Sequence, residues 1–150
     1  MSKNNIYFFS EDVKYRIQGK KRIYYLVEEI AKREYRNIGE INIILCSDRY
    51  LFEVNVKYLK KDTYTDIITF EYNEGIEIFG DLYISIERIK ENAHVFNVFL
   101  YDELCRVIVH GVLHLCGYGD NTVKQKKKMR ETENKYLALI ADNKERISSN

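Results

Sequence analysis

Two histidines four residues apart, His110 and His114, stand in the apolar run VIVHGVLHLCGYGD (residues 107–120), and the run breaks at Gly117. Residues four apart share one face of an α-helix, so two imidazoles there can be aimed at a single point. Zinc accepts imidazole nitrogens at about 2.0–2.1 Å. The other reading is a pair of histidines satisfied by hydrogen bonds in a partly polar helix. Glycine commonly turns a chain out of a helix at its C-terminus. A stop at Gly117 would therefore bring Asp120 back towards the histidine face, and a carboxylate is an accepted third zinc ligand.

The full spacing, H-x-x-x-H-x-x-G-x-x-D, matches the metzincin zinc signature with two exceptions. Asp120 stands where that signature has its third histidine, and Gly111 stands where H-E-x-x-H has its glutamate. The second exception removes the usual general base, which argues against peptidase chemistry of that type. Glycine inside a helix costs about 1 kcal/mol relative to alanine. Gly111 therefore suggests a close approach to the backbone, by a neighbouring strand or by a substrate. Cys105, Val109, Val112 and Cys116 fall on a stripe well over 90° from the histidines at 3.6 residues per turn. The two cysteines read as core residues rather than ligands.

The elements that must hold these groups follow from periodicity. RIYYLVEEIAKREY puts Ile23, Val27, Ile30 and Ala31 on one face, which predicts a helix over residues 20–35. EINIILCSD alternates Ile41, Ile43 and Leu45 as a strand does, and Ser47 or Asp48 would cap a helix through RYLFEVNVKYLKK. YTDIITFEY reads as a strand followed by a turn at NEG; FGDLYISI reads as another, with Leu82, Ile84 and Ile86 on one face. Helical patterns then cover residues 87–97, 102–116 and 123–142. Interspersed helices and strands that end in helices predict a layered α+β or α/β domain.

Composition sets the class. At 150 residues the chain is long enough to bury its own core as one domain, 1–150. It is 45% hydrophobic and 31% charged, as a soluble globular protein is, and it has no proline that would mark a linker. The net charge of +1 means that a polyanion would have to meet a local patch. The first residues hold an apolar run of only four, too short for a signal peptide, and no segment reaches the length of a membrane span. Cys46, Cys105 and Cys116 are too few and too scattered for a disulfide framework. The expected compartment is the cytoplasm.

HGVLHLCGYGD resembles the H-G-x-L-H-L-x-G-Y-D-H signature of the YbeY family, bacterial metal-dependent endoribonucleases of ribosomal RNA maturation. YTDIITF is similar to that family's T-D-V-L-S-F strand, and FGDLYISIERIKENA to its G-D-I strand and following helix. The likeness spans roughly residues 55–133. It implies an α+β fold, a small mixed sheet covered by helices with the metal-binding helix in the C-terminal half. It also implies one metal ion per chain, taken to be zinc, with His110 and His114 as ligands and catalytic residues. The third ligand falls on Asp120 in an ungapped match. With a one-residue insertion, Asn121 stands where the third histidine belongs. A carboxylate in place of a neutral imidazole lowers the charge of the site by one unit, which predicts slower chemistry or a higher pH optimum.

The same resemblance implies single-stranded RNA, a ribosomal RNA precursor and the small ribosomal subunit as partners, with neither membrane nor DNA expected. The family has an arginine before its T-D strand, where this chain has Leu59. Lys60 and Lys61 lie beside it and are the expected RNA contacts, although neither offers a planar bidentate guanidinium. KKRIYY and KQKKKMR are further basic stretches, the second read as a solvated helix face. Asp66 and Asp81 match family positions but read as capping or backbone-bonding aspartates. Glu103 suits the start of the histidine helix. His94 reads as an isolated surface or core histidine. Glu131 and Glu133 read as surface ion-pair partners, or as hydrogen-bond partners of a ligating imidazole. Two other functions fit parts of the pattern: a non-haem iron oxygenase built on two histidines and a carboxylate, and a ribosome-assembly factor without strong catalysis.

Overall fold

A computed structural model of the chain describes residues 5–141. Its elements run β1 (Ile6–Ser10), α1 (Lys20–Arg33), β2 (Asn37–Cys46), α2 (Asp48–Leu59), β3 (Ile67–Glu71), β4 (Glu77–Ser85), α3 (Ile86–Phe96), α4 (Leu100–Leu115) and α5 (Val123–Leu137). A 3₁₀ turn, Ala138–Ile140, follows α5; Asp142, the expected last residue of that helix, lies outside the described residues. The four strands form a mixed sheet in the order β1-β2-β4-β3. β1, β2 and β4 are parallel, and β3 runs antiparallel to β4. The fold is α+β, as expected.

Alternation along the strands divides the sheet into two faces. Ile41, Ile43 and Leu45 of β2 and Leu82 and Ile84 of β4 join the main core beneath α1, α4 and α5. Cys46 and Ile68 face the other way and pack with Leu51 of α2, with Tyr83 alongside. Ile86 does not share the strand face expected for it. β4 ends at Ser85, whose hydroxyl caps α3 by accepting from the Arg88 amide at 3.0 Å, and Ile86 becomes the first residue of that helix. Likewise Ser47, not Asp48, caps α2.

β1 has no counterpart among the elements that the sequence pattern predicts. Only Ile6 of its five residues is buried, so it carries no alternating apolar pattern; it is held at the sheet edge by its ladder to Ile41–Leu45. The helix α4 is central to the fold. It touches α1, α3 and α5 as well as β3 and β4. Ten of its sixteen residues are buried, so its apolar surface extends far beyond the cysteine stripe. Cys105 lies in the core and Cys116 packs partly buried against it, with burial pushing its thiol up to about 11.

Candidate metal centre

The helix α4 lies so close to the sheet that a Cβ at Gly111 would stand 2.9 Å from both Ile67 Cδ1 and Leu82 Cδ2. Of the two explanations for this glycine, packing against a strand is the one realised. The glutamate of H-E-x-x-H has no room there. His110 and His114, on either side of that contact, reach the half-buried face where β3, α4 and α5 enclose a cleft of about 1410 Å³.

The end of α4 is defined by several bonds. Gly117 takes φ 103, a left-handed conformation that suits glycine. The Gly117 amide donates to His114 O and the Tyr118 amide to Leu113 O, both at 3.0 Å, the pair of bonds that closes a Schellman turn. Asn73 Nδ2 donates to Leu115 O at 2.8 Å and Arg36 Nη2 to Cys116 O at 3.2 Å, so side chains satisfy two of the last carbonyls. The loop then passes Asp120 and enters α5 through a capping box made by Thr122 and Gln125. Gln125 Oε1 also accepts from the Asn121 amide at 2.8 Å.

These bonds bring Asp120, rather than Asn121, to the histidines. His110 Nε2 and His114 Nε2 are 3.1 Å apart, and His110 Nε2 lies 3.4 Å from Asp120 Oδ2. One donor atom from each of the three residues falls within 4.8 Å of the others. Donors of a tetrahedral zinc about 2.0–2.1 Å from the ion would stand about 3.3 Å apart. The other ring nitrogens are committed elsewhere. His114 Nδ1 donates to Tyr118 O at 2.9 Å, and His110 Nδ1 lies 2.6 Å from Glu133 Oε2. If both Nδ1–H groups donate, two Nε2 lone pairs face each other across 3.1 Å, and a cation or a proton between them relieves the repulsion. The donor set fits a metal ion.

The charge around the pair agrees. Burial alone would push His110 down, but the hydrogen bond and charge of Glu133, with Asp120 and Asp66, raise it above an ordinary imidazole. His114 is lowered by burial and by the His110 charge. Burial works against the Glu133 carboxylate too, yet His110 and Arg106 hold it below the usual range. Arg106 donates to its other oxygen, Oε1, at 2.9 Å. Glu133 is thus not the surface ion-pair residue expected: it is buried between Arg106 and His110, and the imidazole partnership is the one realised. Glu131 is exposed.

The remaining candidates separate cleanly. Asp66 and Glu103 line the cleft, each raised above the usual carboxyl range by burial first, with the Asp66 charge adding to the shift at Glu103. The Asp66 carboxylate also accepts from the backbone amides of its own residue and of Ile67, the backbone bonding expected of it. Asp81 accepts from Asn42 Nδ2 at 3.0 Å and does not line the cleft. His94 is exposed. Lys61 lines the cleft; Lys60, exposed in the left-handed C-cap of α2, does not. Arg22 of KKRIYY turns inward and donates to Ile140 O at 2.7 Å. Among the described residues no helix is long and apolar enough to cross a membrane.

Known proteins with the same pattern bear on this geometry. A family model described as endoribonuclease YbeY matches residues 6–141. The endoribonuclease YbeY of Cytophaga hutchinsonii is 45% identical over 140 residues, covering 93% of this chain and 98% of the relative. That of Amoebophilus asiaticus is 41% identical over 138 residues, covering 91% and 94%. The solution structure of TM1509 from Thermotoga maritima superposes with a TM-score of 0.67 at 30% identity, covering 97% of this chain and 95% of that one.

Proposed function

The chain belongs to the endoribonuclease YbeY family, and from that premise we propose that it is a zinc-dependent enzyme cleaving single-stranded RNA in the cytoplasm. In this reading it trims ribosomal RNA precursors at the 3′ end of the small-subunit RNA and meets the small ribosomal subunit. His110, His114 and Asp120 hold one zinc per chain, and Lys60 and Lys61 contact the RNA.

The donor triangle supports this best: three ligand atoms within 4.8 Å of one another, with the histidine rings fixed from behind by Glu133 and Tyr118. A bound zinc supplies an open position that acidifies water and polarises a phosphate oxygen. The protein's own residues do the rest. Glu133 and Tyr118 O fix the tautomer of each ring so that Nε2 stays free to ligate. Asp120 adds a negative charge that a third imidazole would lack. Exposed Phe96 lines the cleft and offers a face on which an unpaired base can stack. Lys61 reaches the same space.

Metal content by mass spectrometry on untagged protein, beside a His114→Ala variant, tests the proposal. The expected result is about one zinc per chain, lost together with at least a hundredfold of RNA cleavage in the variant. A metal-free wild-type protein would overturn it. Leu59 favours a second reading, because it lines the cleft where the family has an arginine: a catalytically weak ribosome-assembly factor. Zinc-loaded protein that binds small subunits but leaves their precursor RNA uncut would select that reading.

A further inference from the structure

The floor of the cleft is rich in carboxylates: Asp66, Glu103, Asp120 and Glu133 all line it. An RNA strand brought to the histidines would meet these charges, so its phosphates need cations on the walls. Arg106 is not free to serve, because Nη1 is bound to Glu133 Oε1 and Nη2 to Asn134 Oδ1, both at 2.9 Å. On the β3 side the wall offers Leu59 and Lys61. The opposite wall is one face of α5. Lys126 and Arg130, four residues apart, share that face and line the cleft, whereas Lys124, Lys127 and Lys128 of the same basic run do not.

Both side chains have donors to give. Lys126 makes no side-chain hydrogen bond or ion pair among the described residues. The Arg130 side chain is 61% exposed and its nearest carboxylate, Glu133, is 4.0 Å away. At that distance the pair is a loose one, and the guanidinium keeps its planar fork for another anion.

We propose that Lys126 and Arg130 bind phosphates of the substrate strand opposite Lys61, so that the cation lost at Leu59 is supplied from across the cleft by α5. The proposal rests on the ribonuclease reading for its substrate. It differs from the sequence expectation, which assigned KQKKKMR as a whole to solvent. One face of that run is solvated, and the other forms a wall of the site.

The test is a titration of zinc-loaded, full-length protein with a short fluorescent 2′-O-methyl RNA single strand at several salt concentrations. The variants are K126A/R130A and, as an equal-charge control on the same helix, K124A/K127A. If two phosphate contacts are lost, the cleft-facing pair should weaken binding about tenfold and flatten the slope of log K against log salt by about 1.4. The control pair should leave the slope near wild type. Zinc content and thermal unfolding, measured on all three proteins, show whether each variant is folded. With a cleavable strand, KM should rise while kcat stays close to wild type. Equal losses in both pairs, or an unchanged slope in the cleft-facing pair, would overturn the proposal. A wild-type protein that binds the strand through this pair but never cuts RNA would overturn the ribonuclease reading alone.

Discussion

His110 and His114 each commit their second ring nitrogen to a fixed acceptor, one on α5 and one in the loop that ends α4. Lys60 and Lys61, on the segment from α2 to β3, make no side-chain bond among the described residues. Their backbone is anchored: Asn55, buried in α2, accepts from the Lys61 amide at 3.1 Å through its carbonyl and donates through Nδ2 to Thr63 O at 2.9 Å. Under the proposed function, the contrast follows from what each region would handle. A small cation requires donors at fixed separations, and rings held from behind provide them without further reorganisation. A single strand of RNA varies in path, and long unpaired side chains on a pinned backbone can follow it.

The largest way to break that contrast is to loosen the fixed end. Glu133→Gln keeps an acceptor for His110 but removes the charge and the Arg106 ion pair. Its zinc affinity, read by competition with a chromophoric chelator, should fall about 10- to 100-fold. An unchanged affinity would mean that the ring needs no anchor. Gly111→Ala attacks the helix as a platform. The added methyl would sit 2.9 Å from Ile67 and Leu82 side chains. Overpacking of about 1–3 kcal/mol should outweigh the helix propensity gained, lowering the melting temperature by several degrees.

Leu59→Arg probes the adaptable end. Because nothing there is tightly packed, it should lower KM only a few-fold and leave kcat and zinc content unchanged. A fall in zinc content would show that the two regions are coupled after all. Asp66→Asn gives the smallest change. Burial raises the folded-state pKa of Asp66 above its usual 3.8. The native state therefore favours the protonated form, and stability is lost as pH rises through the raised value. The asparagine variant should melt slightly higher than wild type at neutral pH, and the gain should vanish below about pH 4. A gain that persists in acid would point to packing instead of charge.

How much of this was legible in the sequence depended on whether the signal was local. His110, His114 and the stop at Gly117 lie within one turn-and-loop stretch, and their spacing was enough to bring Asp120 to the histidines. Glu133 lies 23 residues beyond His110 and meets it because α5 folds back across α4. The sequence offered it a surface ion-pair role or an imidazole role, and packing alone selects the second. The same holds for KQKKKMR: which lysines face water is set by the buried stripe of Met129, Thr132, Glu133 and Tyr136, and that stripe is polar enough to hide its periodicity. β1 leaves no signal in the sequence because an edge strand with one buried residue draws its order from its neighbour's ladder. The wide burial of α4 is hidden for a related reason. Arg106, His110 and His114 interrupt its apolar pattern because the helix lines a cleft as well as a core.

The short loop between α4 and α5 does two things at once. It contributes the carboxylate of Asp120 and, through Tyr118 O, the acceptor that orients His114. It is also the hinge into Thr122, the cap from which α5 starts. With ligands drawn from the helix and from this hinge, a bound ion would make its occupancy and the backbone order a single cooperative unit. Chelation should then speed amide hydrogen exchange from Gly117 to Gln125 while leaving the sheet protected. The proposed metal would then also be a clasp, and the helix it would fasten is the one that presents Arg130 to the cleft.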